Sequence, residues 1–168
     1  GMEKTGRLGF RLRTPSLGLG GGVSGRSFGD LRAGGGLGIE SPSGYEERAA
    51  DLKGLFKLGD NLLLTAAVQS VTQPEVPAYD QVAERGYARY VFRPQERRLS
   101  YVRMNAFSAN PLWREVEGTV SWQESTEGRE RRKENSVWLQ KERDRVRTLG
   151  FQLQVRSAPR EGWNLTTG

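Results

Sequence analysis

The stretch Ala50-Asp51-Leu52-Lys53-Gly54-Leu55-Phe56-Lys57-Leu58-Gly59-Asp60-Asn61-Leu62-Leu63-Leu64-Thr65-Ala66-Ala67-Val68-Gln69-Ser70 decides the fold. Successive side chains of a strand point to opposite faces, so Ala50, Leu52, Gly54, Phe56 and Leu58 share one side while Asp51, Lys53 and Lys57 share the other. Gly59-Asp60-Asn61 supplies residues that tolerate positive φ. Leu62, Leu64, Ala66, Val68 and Ser70 then return on the same phase, with Thr65 and Gln69 opposite. Two strands joined by a tight turn account for the whole stretch.

The same period extends in both directions. Toward the N-terminus, Leu8, Phe10 and Leu12 alternate with Arg7, Arg11 and Arg13, Pro15 marks a turn, and Leu17, Leu19 and Val23 resume the phase through a glycine-rich run. Toward the C-terminus, 99–107 reads as strand and Ser108-Ala109-Asn110-Pro111 as a turn. Val116, Gly118, Val120 and Trp122 alternate with Glu115, Glu117, Thr119, Ser121 and Gln123, and Leu149, Phe151, Leu153 and Val155 with Gln152, Gln154 and Arg156. A further turn is expected over Pro159–Gly162 before a final stretch from Trp163. Between these strands lie three long connections, near 26–45, 72–93 and 124–147; the last has Val137, Trp138 and Leu139 in succession instead of along one helical face. The expectation is an all-β chain: one antiparallel up-and-down meander of about 7–8 strands over residues 1–168.

Composition removes several function classes. The 168 residues contain no Cys and no His, which excludes disulfides, thiolate zinc sites, Cys-His and Ser-His catalysis and the commonest transition-metal ligand. Carboxylate pairs such as Glu46-Glu47, or Glu115 with Glu117, have nothing to position a substrate between them. The chain is therefore read as a non-enzyme without a cofactor. Lys+Arg 26 against Asp+Glu 20 gives +6, with arginine dominating. In the densest basic run Glu127, Glu130 and Glu134 interleave with Arg129, Arg131, Arg132 and Lys133, so no nucleic-acid partner is expected. No run of about 18 apolar residues would make a spanning helix, and Gly1-Met2-Glu3 opens no signal peptide, Gly1 reading as an expression scar.

Short connections near Pro15, Asp60, Pro111 and Pro159 alternate with the long ones. Outer-membrane barrels have this rhythm, pairing short turns at one end with long loops at the other and crossing the bilayer with strands of about 9–11 residues. In such a wall the apolar phase meets lipid, while Arg7, Arg11, Arg13, Asp51, Lys53, Lys57, Glu115, Glu117 and Arg156 face an aqueous interior and pair across strands. A soluble antiparallel sheet, serving as a binding or assembly module, also has one apolar and one polar face. A detergent requirement separates the two.

Phe28-Gly29-Asp30-Leu31-Arg32-Ala33-Gly34-Gly35-Gly36, then Pro42-Ser43-Gly44-Tyr45-Glu46-Glu47-Arg48-Ala49-Ala50-Asp51-Leu52-Lys53, resembles the barrel region of TonB-dependent outer-membrane receptors. Val76-Pro77-Ala78-Tyr79-Asp80, Phe92-Arg93-Pro94-Gln95 and Leu99-Ser100-Tyr101 continue the likeness in order. The resemblance implies a barrel of roughly 22 strands around a plug, in the bacterial outer membrane, taking up iron-siderophores, haem or similar ligands with energy relayed by TonB. The sequence has no plug, no TonB box and no terminal aromatic residue. The expected entity is an internal barrel segment whose partners are outer-membrane lipid and the remainder of the barrel, with TonB engaged only through a missing N-terminal region. By itself such a segment is expected to self-associate, and a complete eight-stranded barrel is disfavoured by the ragged last strand.

The candidate ligand contacts are Tyr79, Asp80, Tyr87 and Tyr90 on the second long connection, with Arg32 and Arg89 as anion-binding cations. Tyrosine offers stacking area and a hydroxyl. The plain alternative gives the aromatics to an interfacial girdle and leaves the arginines solvated.

Overall fold

A computed structural model describes residues 2–36, 38–110, 113–157 and 166–168. Along them run β1 (Glu3–Arg13), β2 (Leu17–Phe28), β3 (Leu31–Arg32), β4 (Ile39–Glu40), β5 (Tyr45–Lys57), β6 (Leu62–Gln73), β7 (Val76–Pro77), α1 (Tyr79–Glu84), β8 (Tyr87–Phe107), β9 (Glu115–Lys133), β10 (Gln140–Arg156) and β11 (Thr166–Thr167). The main sheet has the order β1-β2-β5-β6-β8-β9-β10-β11, with β7 beside β8, and every pairing is antiparallel. β3 and β4 form a small sheet of their own. The all-β up-and-down meander read from the alternation is the fold. It is an open sheet: β1 stands at one end of the order and β11 at the other.

Register carries the alternation across the molecule. One row runs Phe10, Gly21, Leu52, Val68, Ser100, Trp122, Leu149, and the next runs Leu12, Leu19, Gly54, Ala66, Val102, Val120, Phe151. Between them, on the opposite face, lies Arg11, Gly20, Lys53, Ala67, Tyr101, Ser121, Gly150. A slip by one residue would exchange the faces, so the in-phase stripes hold the register. Turn chemistry agrees: the Thr14 N–H donates to the Leu17 carbonyl at 2.7 Å, the Thr14 hydroxyl accepts from the Leu17 N–H at 3.0 Å, and Gly59 takes φ 73° between β5 and β6.

The long connections differ from their expected extents. β2 runs to Phe28, β6 to Gln73 and β8 back to Tyr87, and the span 124–147 is strand except for 134–139. Neither the long loop nor a helix occupies that span. The reason is electrostatic: β9 and β10 are polar on both faces there, so no apolar period marks them, and opposite charges across the ribbon replace it. Lys141 lies 3.2 Å from Glu130, Arg131 2.6 Å from Glu142, and Arg147 2.6 Å from Glu124. A register shift on β8 between Phe92 and Gln95 re-aims the strand, and Gly128 opposite has no room for a Cβ, which would collide with the Arg93 carbonyl. The turn expected over Pro159–Gly162 and the stretch 163–165 lie outside the described residues, as does Pro111.

Burial is inverted relative to a packed domain. Thr65, Ala67 and Asn105, all on the polar face, are buried, whereas Phe10, Val68, Val102, Val120, Phe151 and Leu153 on the apolar face are exposed. Among the described residues no side chain is fully buried. The chain exposes 12118 Å² for 18.8 kDa. A folded monomer of that mass exposes about 8,300 Å². Among the described residues no helix is long and apolar enough to cross a membrane, which says nothing about crossing by strands.

Candidate functional site

Two constellations carry the charged chemistry. The first lies where β8, β9 and β10 run past the apolar stripe. Ala78 N–H donates to the Tyr90 carbonyl at 3.0 Å and Pro77 pairs with Val91, so α1 is held against the start of β8. Tyr87 packs edge-on to Tyr90 at 5.2 Å between ring centroids, and Tyr90 on Phe92 at 5.9 Å. Tyr90 and Phe92 pair with Arg131 and Arg129, and the Arg129 guanidinium sits 5.5 Å from the centre of the Phe92 ring. Arg89 lies 3.0 Å from Glu75 and 3.7 Å from Glu130; Arg93 shares Glu75 at 3.4 Å. Arg129 pairs with Glu127 at 2.9 Å and Glu142 at 3.5 Å.

Of the candidate contacts, Tyr87 and Tyr90 come together on the face that carries Phe92 and Arg129, whereas Arg89, next to Tyr90 along β8, points to the other face with Glu75 and Glu130. The Ala78 bond to Tyr90 sets the start of α1, which carries Tyr79 and Asp80, beside β8. Asp80 accepts from the Gln81 amide at 2.6 Å. Arg32 stands apart, exposed on the β3–β4 hairpin. Beneath that hairpin, Asp30 accepts from the N–H groups of Ser43 at 2.8 Å and Gly44 at 2.7 Å. These bonds, with the Ser41 hydroxyl, hold its carboxyl below the ordinary range. The Ser43 hydroxyl accepts from Leu31 N–H at 2.8 Å and donates to the Glu40 carbonyl.

Sequence reasoning missed Glu75, Phe92, Arg93, Arg129 and Glu142 as members of the first constellation. The available signal was the alternation of sign in Glu127, Arg129, Glu130, Arg131 and Glu142, which fits a ribbon stitched by cross-strand pairs. Chemically the cluster offers aromatic faces and guanidinium donors, with its carboxylates engaged by cations.

The second constellation occupies the polar face. Near the short-turn end, Asn105 donates to Glu115 at 2.8 Å and to Glu117 at 3.0 Å. Arg103 binds Thr119 at 3.2 Å and lies 3.4 Å from Glu117, while Arg156 lies 2.7 Å from Glu115. Toward β1, Arg7 reaches across β2 to Asp51 on β5 at 2.6 Å. Among the described residues no group of three or more Asp or Glu side chains is placed to hold a metal ion. Comparison of the chain with family models, with curated proteins and with solved structures finds no match.

Proposed function

We propose that the chain forms a stretch of barrel wall in an outer-membrane ligand-uptake receptor of the TonB-dependent kind, with the apolar face against lipid, the polar face toward the lumen and the β8–β10 extensions outside. The observation that supports this most is the inverted burial: Thr65, Ala67 and Asn105 on the polar side of β6 and β8 are buried, while Phe10, Val102, Val120 and Phe151 on the apolar side are exposed. A sheet of this size in water hides its apolar face against a second layer. β1, β2, β5 and β6 have 11, 12, 13 and 12 residues. Those lengths suit a bilayer crossing, which takes about 9–11 residues per tilted strand. The two open edges suit closure by further strands of the barrel. The aromatic and arginine cluster of Tyr87, Tyr90, Phe92 and Arg129, with Arg89 on the other face of the same ribbon, would meet the ligand, a siderophore, haem or a similar anionic compound.

The rival reading is a soluble β-sheet binding or assembly module whose partner covers the same apolar face. Quenching of single-tryptophan variants by lipids brominated at mid-chain separates them. With the chain reconstituted in phosphatidylcholine vesicles, Trp122 on the apolar face should be quenched and Trp138 at the β9–β10 tip should not. A monodisperse, detergent-free monomer, or a reconstituted chain whose Trp122 emission ignores the bromine, would overturn the membrane reading.

A further inference from the structure

On the polar face of β1, β2 and β5 lies a trough of about 1140 Å³ whose lining includes Arg7, Arg11, Arg13, Lys53 and Lys57. Its floor is β2, where Gly18, Gly20 and Gly22 face the same side, opposite Arg13, Arg11 and Gly9 on one flank and Leu55, Lys53 and Asp51 on the other. The three glycines differ in cause. A Cβ on Gly22 would come within 2.6 Å of the Leu8 carbonyl and 3.0 Å of the Arg7 guanidinium, so backbone packing alone demands glycine there. At Gly20 the nearest atom to a Cβ would be the Phe10 carbonyl at 3.6 Å, and at Gly18 the Leu55 Cβ at 3.7 Å, both ordinary contact distances. Packing does not explain those two bare positions.

What they leave open is a slot between cations. At the Gly22 end the slot is already occupied by the protein's own oxyanion: Arg7 crosses the glycine strand to grip the Asp51 carboxylate at 2.6 Å. One row further, Arg11 faces Lys53 across Gly20, with Arg13 on the next row. None of these three has a carboxylate partner among the described residues; the other acid close by, Asp60, lies 3.5 Å from Lys57. The flanking strands stand two inter-strand spacings apart, about 9.6 Å. An arginine and an aspartate bridge that span at Gly22; one row further an arginine and a lysine bring like charges to the same trough with no carboxylate between them, an arrangement that an anion would neutralise.

We propose that this slot binds a small multivalent oxyanion of the diphosphate type, with Arg11 and Arg13 as guanidinium forks, Lys53 as the opposing charge and Gly20 as the open floor. The inference needs only the geometry of three strands and stands whether or not the apolar face meets lipid. Pyrophosphate titrated by calorimetry into the full chain, in maltoside micelles at about 0.1 M salt to keep screening moderate, tests it. The expected result is one-site binding that falls about tenfold or more, at least 1.4 kcal/mol, in Lys53→Gln and equally in Gly20→Leu, which fills the floor without touching a charge. Arg48→Gln, whose side chain lies outside the trough, should bind like the parent. No saturable binding, a Gly20→Leu variant that folds and binds like the parent, or an equal loss in Arg48→Gln would each refute the slot; far-ultraviolet circular dichroism establishes that the Leu variant keeps its sheet.

Discussion

A single carboxylate organises the base of the longest connection between neighbouring strands. Asp30 collects the N–H groups of Ser43 and Gly44, and with the Ser43 hydroxyl on Leu31 N–H it ties the two legs of the β3–β4 hairpin together. Those bonds favour the charged form, which is why the Asp30 carboxyl titrates below its ordinary value of 3.8. The sign follows from linkage: a carboxyl whose folded value is depressed adds stability above its ordinary range, and that contribution disappears as pH falls through the lowered value. The amide resonances of Ser43 and Gly44 should accordingly move together as pH falls, with a common midpoint below 3.8. In Asp30→Asn, which keeps an acceptor oxygen and loses the proton equilibrium, the concerted movement should vanish. A midpoint well above that value would show that Asp30 is not the group that ties the hairpin.

Among the elements, β8 and β9 are joined by the most closely coupled polar network. Asn105 is 8% exposed and its amide serves both Glu115 and Glu117, whose outer oxygens meet Arg156 and Arg103. Asn105→Leu keeps the volume and removes the donor, leaving two carboxylates facing each other on an enclosed face; the cost should be about 1–3 kcal/mol in the urea midpoint of the micelle-bound chain. Adding Glu117→Gln should recover part of the loss, and an unchanged midpoint in the single variant would show that the amide is dispensable. The legibility of the elements follows the same division between apolar and polar stitching. β5 and β6 are readable because one face is apolar from Ala50 to Phe56 and from Leu62 to Val68. The outer halves of β9 and β10 were not, because Arg129, Glu130, Arg131, Lys141 and Glu142 hold the ribbon by charge on both faces. α1 gave no signal either, being six residues long with no side-chain cap. The candidate site was legible to the same extent: Tyr87, Arg89 and Tyr90 could be named, but as residues of a long connection, whereas they lie on β8, and Phe92 and Arg129 meet only once β9 is known to be strand beside them.

At the scale of the whole molecule the question is what the apolar face touches. Its middle row, Leu12, Leu19, Gly54, Ala66, Val102, Val120 and Phe151, runs from β1 to β10 without a charge, and Phe151 is 74% exposed. If that row faces water, Phe151→Arg removes an exposed apolar ring and leaves stability within about 0.5 kcal/mol of the parent, as surface substitutions do. If it faces hydrocarbon near the bilayer centre, the same change costs about 2–4 kcal/mol. Gln152→Arg, one residue along and on the opposite face, is the internal control, since its side chain points to the polar side in either case. Urea titration of both variants folded into vesicles should give a large loss for Phe151→Arg and almost none for Gln152→Arg. Equal, small effects would remove lipid as the partner of this face and return the sheet to a soluble assembly. A large loss at Gln152 in place of Phe151 would mean that the faces are exchanged. The contrast between two adjacent residues is the informative quantity, because the introduced arginine, the strand and its place in the sheet are common to both while the side of the sheet differs.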